Sequence, residues 1–225
     1  RIFSRTSGIE QLFFVARYFL YSAISCRYNR KQRMIVLQLD NISLTETIKI
    51  LSKSKVSMKV LMLPDYSRSN PYQRELVAAL EEYGVHVTLC SFNVLPLLRA
   101  VWVCGKPDIL HLHWTDGYIV AGNWLKTILK TLRFLIELFV VKALGIKVVW
   151  TVHNLSNHER INSSYESFIN RILIRFYDQV IVHCSDAGKA VAQLYRLPDR
   201  LTNKVHVIPH GHYVDCYENS ITRHD

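Results

Sequence analysis

The sequence predicts an α/β domain organised on a doubly wound parallel sheet, and three features carry that expectation. Short apolar runs rich in β-branched residues recur from Met58 to Ile208, separated by helical stretches with recognisable start and stop signals. The runs are largely apolar rather than strictly alternating, as strands buried on both faces are. Several then switch to polar and imidazole-bearing residues, the pattern of a parallel sheet's carboxyl edge where it faces a ligand. With 225 residues, 49% hydrophobic and 20% charged, the chain can bury one sizeable α/β core and carry an extension besides.

That extension is residues 1–57. It opens on Arg1 rather than Met, which suggests a fragment or a conceptual translation. Gln11 to Ile24 is its most apolar part, but Arg17 interrupts the run, and a spanning helix needs about 20 apolar residues. No clear small-residue cleavage site marks a signal peptide. Met34 to Ile50 alternates loosely, and Ser52 to Ser57 reads as a linker. A basic leader or disordered extension, non-native or not, is favoured over an apolar, basic anchor at a membrane surface.

The domain is expected over residues 58–217, with 218–225 as the start of an interdomain region. Met58 to Leu63 is the first strand and Pro64 to Asn70 a loop. Asn70-Pro71 starts a helix, the Asn as N-cap and the Pro at the first position, where no N–H is needed. Leu76, Val77, Leu80 and Tyr83 follow helical spacing, and Gly84 stops the helix. Val85 to Cys90 is the second strand. A helix is expected over Phe92 to Cys104, with Pro96 in its first turn, then a strand over Ile109 to His113. Asn123 to Leu144 is a long helix and Ile146 to Val152 the fourth strand. Ser163-x-x-Glu166 reads as a capping box for a helix to about Tyr177. Gln179 to His183, a helix capped by Ser185 and running through Tyr195, and Lys204 to Ile208 complete the alternation.

In such a sheet the ligand crevice lies beyond the carboxyl ends of the strands. Those ends carry Asp65 to Asn70, His113 to Gly117, His153-Asn154 on to Glu159, His183 to Ser185, and His210 to His212. Imidazoles gather where the fold predicts a site, able to serve as donors, acceptors or phosphate partners near neutral pH. The loop after the first strand holds no glycine, which excludes a P-loop or a dinucleotide fingerprint. A helix start at Pro71 with Arg68 nearby can still hold an anion. No G-x-S-x-G elbow is present. His111-x-His113 with His153 and His210 raises zinc, but no H-E-x-x-H or cysteine partner accompanies them, and no metal is expected. His111 and His206 read as core histidines bonded to neighbours, Trp150 as core, and Cys184 as structural. Trp114 reads equally as a sugar-stacking face or an ordinary packing wall.

Charge and cysteine usage narrow the function further. Of the net charge of +10, residues 1–57 hold +7 and residues 58–225 only +3. The domain itself is mildly basic and lacks nucleic-acid-binding motifs, so no nucleic-acid partner is expected. Cys26, Cys90, Cys104, Cys184 and Cys216 are scattered, odd in number and without a C-x-x-C pair. A reducing, cytoplasmic setting is the simpler reading. Lys126, Lys130 and Arg133 beside the broad apolar face of the long helix raise peripheral contact with an anionic bilayer. A core-packing helix with a solvated basic stripe is the favoured alternative.

Several blocks are together recognisable: SNPYQRELVAALEEYG (69–84), ILHLHW (109–114), VVWTVHNLSNHE (148–159), VIVHCSDAGKAV (180–191) and VHVIPHGHY (205–213). Their order and spacing resemble the amino-terminal domain of GT-B glycosyltransferases, especially the glycosyltransferase 4-like group. The resemblance implies a Rossmann-like, acceptor-side half of an enzyme of hexosyltransferase type. Such an enzyme moves a sugar from a nucleotide sugar to the hydroxyl of an acceptor glycan or lipid-linked glycan, as in polysaccharide biosynthesis. The nucleotide sugar is a substrate, and no cofactor is implied. It places His153 by the donor sugar or its phosphate, Ser69-Asn70 near donor phosphate or acceptor, and His113, Trp114, Asn154, His210 and Gly211 along the cleft. Glu159 is a candidate base on the acceptor hydroxyl or a surface carboxylate leading a helix. The resemblance also implies a second, donor-binding domain, in cis or in trans, without which this half is expected to be inactive. A non-catalytic partner subunit and a sugar-nucleotide epimerase of the same fold remain as alternatives.

Overall fold

The computed structural model describes residues 58–82, 84–155 and 163–210. The expectations for residues 1–57 and 218–225, and for Glu159 and Gly211, lie outside them. Six strands form one sheet: β1 (Met58–Leu63), β2 (Val85–Leu89), β3 (Ile109–Leu112), β4 (Lys147–Thr151), β5 (Gln179–Val182) and β6 (Val205–Val207). Their order is β2-β1-β3-β4-β5-β6 and every pairing is parallel. The helices are α1 (Pro71–Glu82), α2 (Pro96–Cys104), α3 (Asp116–Ile119), α4 (Trp124–Ala143), α5 (Ser163–Leu173), α6 (Ser185–Leu194) and α7 (Asp199–Thr202). This is the doubly wound, Rossmann-like arrangement.

Strand alternation divides the core into two layers. Leu61, Leu63, Leu110, Leu112, Val148, Trp150, Val180 and Val182 face one side and pack with Leu97 of α2, Phe134 and Leu138 of α4, Leu173 of α5 and Val191 of α6. Val60, Met62, Ile109, Val149 and Ile181 face the other and pack with Leu76 and Leu80 of α1. His111 and His113 continue the parity of Ile109, His153 that of Val149, and His183 that of Ile181. The histidines therefore share the α1 side, a consequence of spacing by two along strands that run the same way.

Local chemistry sets the helix ends. Asn70 Oδ1 accepts from the Tyr72 amide at 3.0 Å, as the Asn-Pro start predicts. Gly84 takes φ 75° after α1, the left-handed conformation that lets the chain turn into β2. Asn123 caps α4 by accepting from the Lys126 amide at 3.1 Å. Two expectations are corrected. The helix expected from Phe92 begins at Pro96, because Leu95 takes a left-handed conformation (φ 48°) and breaks the chain direction. The cap of α6 is Cys184 rather than Ser185: its sulfur accepts from the Ala187 amide at 3.4 Å, and Ser185 is already the first helical residue. The short helices α3 and α7 were not anticipated.

The start of α2 has no cap from its own segment. Glu137 of α4 supplies one across the layer, accepting from the amides of Leu97 at 2.8 Å and Leu98 at 3.1 Å. Its other oxygen lies 3.4 Å from Arg133 Nε. Burial pushes the Glu137 carboxyl above its ordinary range, opposed by those two amides and by Arg133.

Candidate functional site

The carboxyl edges of β1, β3, β4 and β5 converge where the strand order reverses between β1 and β3, the position at which open α/β sheets hold ligands. His113 comes from the end of β3, and its Nδ1 lies 3.1 Å from Nε2 of His153, beyond β4. Trp114 stacks on His153 with centroids 4.2 Å apart and planes 12° apart. His183, beyond β5, shares a hydrogen bond of 3.0 Å between Nδ1 and the Ile208 carbonyl. His210, beyond β6, stands 4.9 Å from the His183 ring. Below them His111 is fully buried, with Nε2 2.8 Å from Thr151 Oγ1. His111 is thus the bonded core histidine that its place in the strand suggests; His206 is bonded too, 3.0 Å from Gln179 Oε1, but only partly buried.

Tyr72 organises this cluster and was missed in the sequence. It is the second residue of α1, and its ring lies 4.9 Å from His153, 4.8 Å from His210, 5.5 Å from His183 and 5.8 Å from His113. The helix start that Asn70 caps therefore delivers an aromatic ring into the imidazoles. A tyrosine at an N-terminal helical position looks like any half-buried residue in a single sequence; only the fold over β3, β4 and β5 reveals its neighbours.

Beside the cluster, and sharing His153 with it, lies a cleft of about 320 Å³. Tyr66, Asn70 and Trp114 form one part of its wall, with Tyr66 set edge-on to Trp114 at 5.2 Å. Thr115, Asp116, Asn154, Glu166 and Asn170 supply polar groups, and Trp150 and Thr151 also reach its lining. Asn170 is 3% exposed, and its Oδ1 has no hydrogen-bond partner among the described residues. Its amide bonds the Tyr195 hydroxyl, which donates to the Leu155 carbonyl at 3.3 Å. Glu166, expected as a capping-box residue, is buried and also lines this cleft. Of the sequence-derived candidates, Asn70, Trp114, His153 and Asn154 line the cleft, whereas His113 and His210 belong to the imidazole cluster. The Ser69 hydroxyl donates to the Tyr66 carbonyl at 3.3 Å.

Burial keeps His111, His113 and His153 uncharged. Burial pulls His153 down to about 2, aided by repulsion from His113, His183 and His210. Burial likewise lowers His111 to about 3, with His153 and His183 adding to it. His113 falls well below the ordinary imidazole range by burial first and then by its neighbours His111 and His183. At neutral pH these are neutral rings, each with one N–H donor and one lone pair. The His113 Nε2 atom is buried without a partner among the described residues. Orphaned buried N–H groups are rarer than under-satisfied acceptors. The favoured tautomer has His113 Nδ1–H donating to His153 Nε2, which leaves His153 with Nδ1–H as its free donor.

Among the described residues, no group of three or more His, Cys, Asp or Glu side chains is arranged to hold a metal ion. Cys90, Cys104 and Cys184 are free thiols. The Cys90 thiol is pushed up to about 12, chiefly by burial. Among the described residues, no helix is long and apolar enough to cross a membrane.

The sequence profile of Glycosyltransferase Family 4 matches residues 70–215, from the cap of α1 to beyond His210. No curated protein and no solved structure matches the chain.

Proposed function

This chain belongs to glycosyltransferase family 4, and we propose that it forms the acceptor-side half of an enzyme moving a hexose from a nucleotide sugar to an acceptor hydroxyl. The observation that carries this reading is the cleft of about 320 Å³ joined to the imidazole cluster at His153. A lining that combines aromatic rings with carboxylate and amide groups suits a sugar, whose ring has apolar faces and a hydroxyl rim. Asp116 and Glu166 are acceptors for sugar hydroxyls, and Asn170 Oδ1 is a buried acceptor that a hydroxyl hydrogen would satisfy. Glu166 would draw the proton from the attacking oxygen, the role for which Glu159 is the candidate in the sequence.

Departure of a nucleoside diphosphate builds negative charge on its phosphate. A fixed, neutral N–H donor aimed at that charge lowers the barrier without reorganising in the transition state. His153 fits that role, oriented by His113 on one side and stacked on Trp114 on the other. A second Rossmann-like domain, in cis or in trans, would grip the nucleotide across the rim.

The test incubates the complete gene product with a panel of nucleotide sugars and glycan or lipid-linked acceptors, following transfer of the labelled sugar. Transfer from one donor, lost in His153→Ala with folding intact, is the expected result. No transfer from any donor, or interconversion of nucleotide sugars without an acceptor, would overturn the reading.

A further inference from the structure

Helix α4 presents apolar residues on both its buried and its outer side. Its buried side includes Thr127, Thr131 and Glu137 beside Phe134, Leu138 and Val141. Thr127 bonds the Ala121 backbone, Thr131 donates to the Ile119 carbonyl, and Glu137 caps α2. Its outer side carries Leu125, Leu129, Leu132, Ile136 and Phe139, each more than half exposed. Their spacing of four and three residues places them within roughly 40° of one line along the helix, over about 21 Å. Lys126, Lys130 and Arg133 are solvent-accessible beside it, and an apolar stripe faces outward as well. Helix α2 packs against α4 and adds Trp102, 85% exposed, and Val103. Trp124, at the start of α4, is exposed as well.

The charges around this face decide what covers it. Residues 92–107 and 124–143 contain Arg99, Lys106, Lys126, Lys130, Arg133 and Lys142, with Glu137 as the one acid. Glu137 is fully buried, so the face has no exposed carboxylate on either helix. A second copy docking by the same stripe would set cations against cations with nothing to neutralise them. An anionic bilayer offers both complements, acyl chains for the stripe and headgroup charge for the exposed Arg99, Lys106 and Lys126. Long basic side chains at the flank of an apolar stripe can reach outward to headgroups, and tryptophans suit the headgroup level.

We propose that the α2–α4 face docks on an anionic bilayer surface, with α4 lying in the plane of the interface. The docked helix is tied to the cleft, because Lys130 Nζ donates to the Gly117 and Val120 carbonyls at the two ends of α3. The same short helix begins with the cleft residue Asp116. If the transferase reading holds, docking presents the cleft to an acceptor anchored in the membrane; the docking itself rests only on the surface.

The test is co-sedimentation of the protein with phosphatidylcholine vesicles and with vesicles that also contain phosphatidylglycerol, which needs no activity. Partition onto the mixed vesicles is expected to be on the order of 100-fold stronger, the scale for three cations near an anionic surface. Leu129→Glu with Ile136→Glu is expected to abolish it while circular dichroism is unchanged, since both positions are exposed. Arg99→Glu with Lys126→Glu is expected to remove most of the preference for phosphatidylglycerol. Protein left in the supernatant with both vesicle types, or partition unaffected by the Leu129 and Ile136 changes, would overturn the proposal. So would a dimer in sedimentation velocity that those changes dissociate, which would assign the face to a second copy.

Discussion

The Nδ1 atom of His113 and the Nε2 atom of His153 lie 3.1 Å apart, although their strands are separated in the chain by the whole of α3 and α4. The two rings are neutral, so one donates and the other accepts. Trp114 holds the plane of His153 by stacking at 4.2 Å, and Tyr72 closes against its edge at 4.9 Å. His153 is thus fixed in position, ring plane and tautomer by three neighbours from two different elements.

If His153 donates to the leaving group, His153→Ala should lower kcat by about 100-fold to 1,000-fold, the cost of removing one preorganised donor. His113→Leu should lower kcat by about 10-fold, the scale of one lost neutral hydrogen bond, with little change in KM. His113→Asn keeps an amide near the lost Nδ1 and should recover most of that rate. Steady-state kinetics on the three variants check this. Equal losses in His113→Leu and His113→Asn would show that His113 fills space rather than orienting its neighbour.

Much of this was legible in the sequence because it rests on short-range rules. The Asn70-Pro71 start, the long helix before Gly145 and the parallel sheet follow from caps, periodicity and apolar runs. The shared side of the imidazoles follows from residues spaced by two on parallel strands. What was hidden depends on the approach of distant segments. Tyr72 is unremarkable until α1 is laid over β3, β4 and β5. That Glu166 also lines the cleft appears only once α5 is set beside β3 and β4. The periodicity of α4 reveals an apolar stripe but not that a second, partly polar side is the one buried. Glu137 shows why, since an ionisable residue goes inside when it has amides to cap.

Acidification should destabilise the fold through the buried imidazoles. His111 falls to about 3 in the folded chain against 6.5 for an unperturbed ring. Between these values the unfolded chain binds more protons, so stability rises with pH. The contribution is complete above pH 6.5 and is lost as pH falls toward 3. At pH 5 the loss from His111 alone is about 2 kcal/mol. His111→Gln, which can keep the bond to Thr151, should flatten this dependence. Denaturant unfolding of both proteins at neutral pH and at pH 5 checks it; parallel pH dependences would show that His111 is not the titrating group.

Glu137 should matter more as a cap than as a charge. Glu137→Ala leaves the Leu97 and Leu98 amides and the Arg133 guanidinium without their partner, at a cost of about 3–5 kcal/mol on the scale of a broken buried pair. Glu137→Gln keeps one carbonyl oxygen for the amides and should cost about 1–2 kcal/mol. Chemical denaturation reads both. Equal losses would mean that the ion pair with Arg133, rather than the capping of α2, carries the contribution.

Asp116 separates acceptor binding from chemistry. It lines the cleft from the first turn of α3, and its partly exposed position makes a structural cost small. If its carboxylate receives a hydroxyl of the acceptor sugar, Asp116→Ala removes a hydrogen bond to a charged group. Such a bond contributes about 1.5–3 kcal/mol, or roughly 10-fold to 100-fold in affinity. The expected result is a rise of that size in the acceptor KM, with the donor KM unchanged and the fold intact by circular dichroism. Asp116→Asn keeps an acceptor oxygen without the charge and should fall between the two. A change confined to the donor KM would move the acceptor out of this cleft and give the carboxylate to the nucleotide sugar.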